Sequence, residues 1–400
     1  MSCRKKSLYV IFTKILKRVL VSEMTDDSRE RLFSGAMFGF FQTLFMAFAM
    51  LIPTMYFSSL NISIAMFAFL LSIGDVFSFI LKPVLGHLTD KHGERKYMMA
   101  AGVVSFVCLF MIGQTSDLLA ITSLKIIGGV ASALMFVTII IYSLRKVKDN
   151  PDKKVGTYGG LSNLGWVAGL LIPGFFIDSF GIQPAFYLIF AVGVIWVLLM
   201  FRFAKKYEGN VSAKPSFAYM KKIPAYIIFK TMDIAMFSAF VFFFARYALQ
   251  TLGLSRSTVS LIVVAEVVLF ALSNLAIGRI SNKKLRRYWV PACIAFHLLA
   301  ATTMVMATSL PMYYLAAMLI GIAGGFIDVW MYSRISETFA VEEKGKVIGT
   351  MGWSNDLATI VGAQVPLIFI TLGLGTFTAL YVFPLVMLAT LIVAKATHRL

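Results

Sequence analysis

Asp75, Lys82, Lys125, Lys230, Asp233, Glu266 and Asp328 all stand inside long apolar runs of this sequence. A run of about 20 apolar residues is long enough to cross a bilayer as a helix. An ionised side chain at the centre of such a span costs about 2.5–3.5 kcal/mol on insertion scales, so each should face other helices rather than lipid. The chemistry open to a carboxyl there is proton uptake and release. The plainer reading is a hydrogen bond or ion pair between helices. Asp75, Lys82 and Gly86 share one helical stripe. Glu266 stands a similar distance before Gly278 as Asp75 stands before Gly86. Lys230 and Asp233, three apart, predict a local ion pair. Lys125 suits either an anionic solute or the carboxylate of Asp75.

Other chemistry is poorly provided for. His87, His92, His297 and His398 show no metal spacing, and His297 reads as a satisfied core residue. Cys3, Cys108 and Cys293 are far apart, so neither a disulfide framework nor a metal site follows. No GxxxxGK[ST] phosphate loop is present, which argues against direct ATP drive. No cofactor is implied, and no His/Cys/Asp constellation of an enzyme stands out.

Elements that could position these residues follow from composition. The chain has 400 residues, 59% hydrophobic and 14% charged, with 36 Phe and 22 Met. Soluble domains average about a quarter charged residues. Twelve membrane spans fit near 33–57, 62–86, 97–114, 118–143, 156–178 and 183–204, then 223–249, 257–277, 288–308, 312–334, 347–372 and 374–395. Residues 1–30 form a basic N-terminal extension. Its first part suits either an amphipathic helix on the inner leaflet or a loose tail. Residues 205–222 read as a basic linker between two halves, 31–204 and 223–400.

The formal net charge of +18 invites a nucleic-acid reading, but its distribution opposes that. Of the 37 Lys and Arg, Lys82, Lys125 and Lys230 lie within spans and only Arg246 and Arg256 fall on one side. The rest gather on the other side, which the positive-inside tendency makes cytoplasmic, with both termini. A multi-pass protein of the cell membrane is expected, in contact with lipid and not with nucleic acid.

The halves repeat. At an offset of 193, Lys153, Gly156, Thr157, Gly159, Leu164, Gly169 and Pro173 match Lys346, Gly349, Thr350, Gly352, Leu357, Gly362 and Pro366. At 192, GHLTDK (86–91) meets GRISNK (278–283). Two six-helix halves related by an axis along the membrane normal are one of the known transporter plans.

The stretch GHLTDKHGERK, with Gly86, Leu88, Asp90, Gly93, Arg95 and Lys96, resembles the loop between helices 2 and 3 of the major facilitator superfamily. Lys91 replaces the usual Arg, and Glu94 is inserted. The run KIIGGVASA, from Lys125, is similar to that family's span-4 pattern, with Lys for Arg. The run GWVAGLLIPG only loosely resembles its antiporter signature, because Pro173 is displaced; its glycines read as close helix packing. The resemblance implies an all-α membrane fold of twelve helices in two pseudo-symmetric halves. It implies a central cavity lined by spans 1, 4, 7 and 10, with Gln42, Lys125, Asp233, Asp328 and Trp330 as candidates. Trp330 suits packing as readily as a ligand. The resemblance also implies a gate in which Asp90 meets the start of span 11, near Lys346–Gly349, with Arg145 as partner. A carboxylate at a helix N-terminus meets unpaired N–H groups there.

The function expected is secondary active transport of a small solute by alternating access, coupled to protons through Asp75, Glu266 and Lys125, in a monomer. An uncoupled facilitator shares fold and gate. A polytopic membrane enzyme or sensor is the alternative of a different class.

Overall fold

In lipid a backbone must satisfy its own hydrogen bonds, so apolar runs of this length fold as helices. The computed structural model describes residues 26–92, 94–144, 151–204, 223–279, 283–339 and 341–397. The first half holds α1 (Asp26–Ser59), α2 (Ile64–His92), α3 (Glu94–Ile112), α4 (Leu118–Leu144), α5 (Pro151–Phe180) and α6 (Ile182–Phe203). The second holds α7 (Pro224–Gln250), α8 (Arg256–Arg279), α9 (Trp289–Val305), α10 (Leu310–Thr338), α11 (Val341–Thr371) and α12 (Val382–Ala396). Within α7, Phe240–Phe244 forms a π-helical turn. Among the described residues these twelve long helices are consistent with the twelve expected spans, and ten of them are long and apolar enough to cross a membrane.

Several helices overrun those spans. α1 begins at Asp26, inside the expected N-terminal extension, and α2 continues to His92, so the stretch expected as a loop after Gly86 is helical as far as His92. The polar residues there continue the helix beyond the apolar run. Gly181, at φ 87°, lets α5 end and α6 begin within one residue, a backbone conformation that glycine adopts at no steric cost. The rest of the extension and the linker 205–222 lie outside the described residues.

The repeat seen in the sequence reappears as packing. Gly169 on α5 sits against α1, where an added Cβ would lie 2.5 Å from the Cβ of Ala47. Its match Gly362 on α11 sits against α7, with the carbonyl of Ala235 at 2.7 Å from such a Cβ. Likewise α2 crosses α4 at Gly74 and Gly129, and α8 crosses α10 at Gly321 and Gly325. Bare glycine faces allow these backbones to touch. Large apolar side chains such as Leu198, Phe201, Leu275 and Ile392 stand exposed around the bundle, as on a surface that meets hydrocarbon.

Candidate functional site

The seam between the halves carries charge. On α2, Ser72, Asp75, Ser78 and Lys82 follow helical spacing and look across to α11. Lys82 Nζ lies 2.6 Å from Asp356 Oδ2 and donates to the Gly352 carbonyl at 3.0 Å. Ser78 donates to the same Asp356 oxygen at 3.0 Å. Gln364 of α11 donates to Ser72 at 2.8 Å. Phe79 and Trp353 stack face to face at 4.4 Å, and the Trp353 indole donates to the Phe79 carbonyl. The Lys82–Asp356 pair is nearly closed to solvent, its side chains 9% and 10% exposed.

Asp75 stands beside this pair. The Gly74–Gly129 crossing draws α2 onto α4, so Asp75 lies within the fields of Lys125, Lys82 and Asp356. Neither Asp75 nor Lys125 makes an ion pair among the described residues, so the Asp75–Lys125 pairing weighed from the sequence is not closed here.

A second cluster lies inside the C-terminal half. Lys230 of α7 pairs with Asp328 of α10 at 2.5 Å, and more loosely with Asp233 at 3.5 Å. The expected local pair is present, but its stronger partner comes from another helix. Gly324 leaves room over Asp233, whose Oδ1 would be 3.3 Å from an added Cβ. Glu266 of α8 is buried and lies within the fields of Asp233 and Lys230. It belongs to this cluster and makes no ion pair among the described residues.

Other candidates take different roles. Trp330 is 4% exposed, stacked on Tyr226 at 4.9 Å with Phe229 against its edge, so it packs the second half. Gln42 is buried on α1. Arg95 donates to the Phe201 carbonyl at 3.1 Å, tying α3 to the last turn of α6 within its own half; Lys96 is exposed. Asp90's side-chain contacts, Gly93 and Arg145 lie outside the described residues, as does the expected gate contact near Lys346–Gly349. His297 is fully buried; its Nδ1 meets Cys293 Sγ at 3.7 Å and its Nε2 faces Asp233 Oδ1 at 3.5 Å without completing a hydrogen bond.

The end of the bundle opposite the basic residues is tied across the halves. Asp178, near the end of α5, accepts from the backbone N–H groups of Arg256 at 3.1 Å and Ser257 at 2.8 Å, at the start of α8. Gln250 donates to the Ser58 carbonyl at 2.6 Å, and Arg246 to the Ile62 carbonyl at 3.1 Å. Sequence reasoning missed Asp178, whose only signal was a carboxylate at a predicted helix end. It also missed the pairing of Asp356.

The geometry is a two-half membrane bundle with ionisable side chains inside its apolar helices. A family model described as Major Facilitator Superfamily matches residues 32–245 and 226–397. An uncharacterized MFS-type transporter, YuxJ of Bacillus subtilis (strain 168), is 23% identical over 160 residues. That stretch is 40% of this chain and 41% of the relative's length. Among solved structures, the nucleoside transporter NupG superposes with a TM-score of 0.70 at 13% identity, over 92% of this chain and 99% of that one. An inward-facing, unoccupied bacterial homolog of the human lysosomal transporter Spinster gives 0.66 at 13% identity, over 94% and 97%. Those likenesses concern the fold. The family match spans nearly all of the described helices, and the chain belongs to the major facilitator superfamily of multi-pass membrane proteins.

Proposed function

We propose that this chain is a secondary active transporter of the cell membrane. It moves a small solute by alternating access as a monomer and couples that movement to protons. The basic end is cytoplasmic, the end held by Asp178 is external, and residues 31–204 and 223–400 are the two moving halves. The carrying observation is the buried Lys82–Asp356 bridge between the halves with Asp75 beside it. Ionised Asp75 attracts Lys82 and repels Asp356. Protonated Asp75 leaves Lys82 to Asp356 alone and tightens the seam. A proton on Asp75 therefore biases how the halves sit. Asp75, Lys125 and Glu266 supply the coupling groups, and Gln42, Lys125, Asp233 and Asp328 the candidate solute contacts.

The test starts with a thermal-shift screen of the purified protein against a broad solute panel, nucleosides included. A solute at 100-fold its Kd adds about 2.7 kcal/mol. Uptake of the hit into proteoliposomes is then driven by an imposed pH gradient. Wild type is expected to accumulate solute, and Asp75→Asn only to equilibrate it. Undiminished pH-driven accumulation by both Asp75→Asn and Glu266→Gln overturns the coupling.

Asp178 is the external latch in this reading. Its carboxylate satisfies N–H groups at a helix start, an arrangement worth about 0.5–2 kcal/mol. Asp178→Ala is expected to raise the externally open population by about 2- to 30-fold, since 1.4 kcal/mol is about tenfold. Ser260 is fully buried behind the latch, under Gly174. In a background without the native cysteines, Ser260→Cys should react faster with an impermeant external thiol reagent when Asp178→Ala is added. An unchanged rate means the latch does not hold that end closed.

A further inference from the structure

Cys293 and His297 stand one helical turn apart on α9, so both side chains share a face. That face meets Asp233 of α7. The carboxylate Oδ1 lies 3.5 Å from His297 Nε2, and Cys293 Sγ lies 3.7 Å from His297 Nδ1. One donor atom from each residue falls within 4.8 Å of the others. Cys293 and His297 are fully buried and Asp233 nearly so. His297 Nε2 is without a hydrogen-bond partner, although a buried polar atom normally has one.

Three observations converge on a ligand. The donor set is a thiol, an imidazole and a carboxylate, the set that binds zinc-class ions. Metal–ligand distances of about 2.0–2.3 Å place neighbouring ligand atoms of a tetrahedral ion roughly 3.3–3.7 Å apart. The Asp233–His297 separation matches that spacing, and one donor atom of Cys293 lies within 4.8 Å of the other two. Charge also favours a cation: Asp233, Asp328 and Glu266 gather around one lysine, Lys230. Lys230 is already closest to Asp328. A divalent ion held by the Asp233 carboxylate, the Cys293 thiolate and neutral His297 is itself charge-neutral, and leaves the Lys230–Asp328 pair intact.

We propose that Asp233, Cys293 and His297 form a binding site for a thiophilic divalent cation of the zinc class, inside the C-terminal half. Three protein ligands leave a fourth position for water, as in open zinc sites. On binding, the Cys293 S–H bond breaks, its proton leaves to solvent, and both electrons stay on sulfur to form the metal–sulfur bond. Approach is from the side of Lys230 and Asp328, whose side chains keep 12% and 13% exposure. Calcium and magnesium, which select oxygen ligands, are excluded by the donor set. The site does not depend on proton coupling; it shares Asp233 with the candidate solute contacts, and its test reads metal binding rather than transport.

The probe is cobalt chloride, added to purified full-length protein without an affinity tag and with Cys3 and Cys108 replaced by Ser. The expected result is about one Co2+ per chain, with a thiolate-to-cobalt charge-transfer band that Zn2+ abolishes and Mg2+ leaves unchanged. Cys293→Ser should remove the band, and Asp233→Asn should weaken binding by tenfold or more. Failure of the variants to fold does not shelter the proposal, because the parent protein is decisive. No charge-transfer band in the parent overturns it, as does a band that survives Cys293→Ser.

Discussion

Replacing Lys82 with Met should cost about 3–5 kcal/mol of folding stability, because it leaves Asp356 buried and uncompensated. Asp356→Leu alone should be damaging too, since it strands Lys82 between α2 and α11. The double variant should recover most of the loss: an apolar pair of similar volume is often as stable as a buried ion pair. Equilibrium unfolding of the four proteins in one detergent closes the cycle. The expected coupling energy lies near the top of the usual 0.5–3 kcal/mol range for contacting residues. A coupling near zero would mean that the 2.6 Å pair contributes nothing to the joined halves. Transport separates two roles of the same residues. A stable double variant that no longer transports indicates that the charge serves the cycle and not the fold.

Lys230→Ala should have the second large effect, again about 3–5 kcal/mol, because Asp233 and Asp328 lose a shared cation. Asp328→Asn should cost less, because Lys230 keeps Asp233 as a partner. The order of the two midpoints in a thermal unfolding series decides the point. If Asp328→Asn is the more damaging, Lys230 depends on Asp328 far more than the two-carboxylate arrangement implies.

The fold was legible in the sequence wherever a local pattern carried it. Apolar runs marked twelve helices, and the matched Gly169 and Gly362 marked corresponding seats on α1 and α7. Lys230 and Asp233 were legible because three residues on a helix are neighbours. Lys82 and Asp356 are 274 positions apart, and nothing local joins them. Each was visible as an ionisable residue in a span, yet its partner depends on how the halves dock. Cys293 and His297 carried a usable signal, the four-residue spacing on one helix, but the third donor comes from α7. Trp330 was ambiguous for another reason. An aromatic ring inside a membrane helix suits packing and ligand stacking equally, and its contacts with Tyr226 and Phe229 come from α7, out of reach of any local pattern.

The π-helical turn at Phe240–Phe244 has a mechanical consequence. It ends six residues before Gln250, the last residue of α7, and Pro53 stands six residues before Ser59, the last of α1. α1 stays α-helical through Pro53, whose missing N–H removes one helical donor, whereas α7 carries the π-turn. A π-turn holds one residue more than an α-turn, and one residue of α-helix corresponds to about 100° of rotation. Converting that turn to α would swivel the last two turns of α7 about their own axis. Arg246 and Gln250 would swing away from Ile62 and Ser58 together. A screw-like slip of one helix end would thus release the Arg246 and Gln250 ties between the halves while the rest of the half stays still.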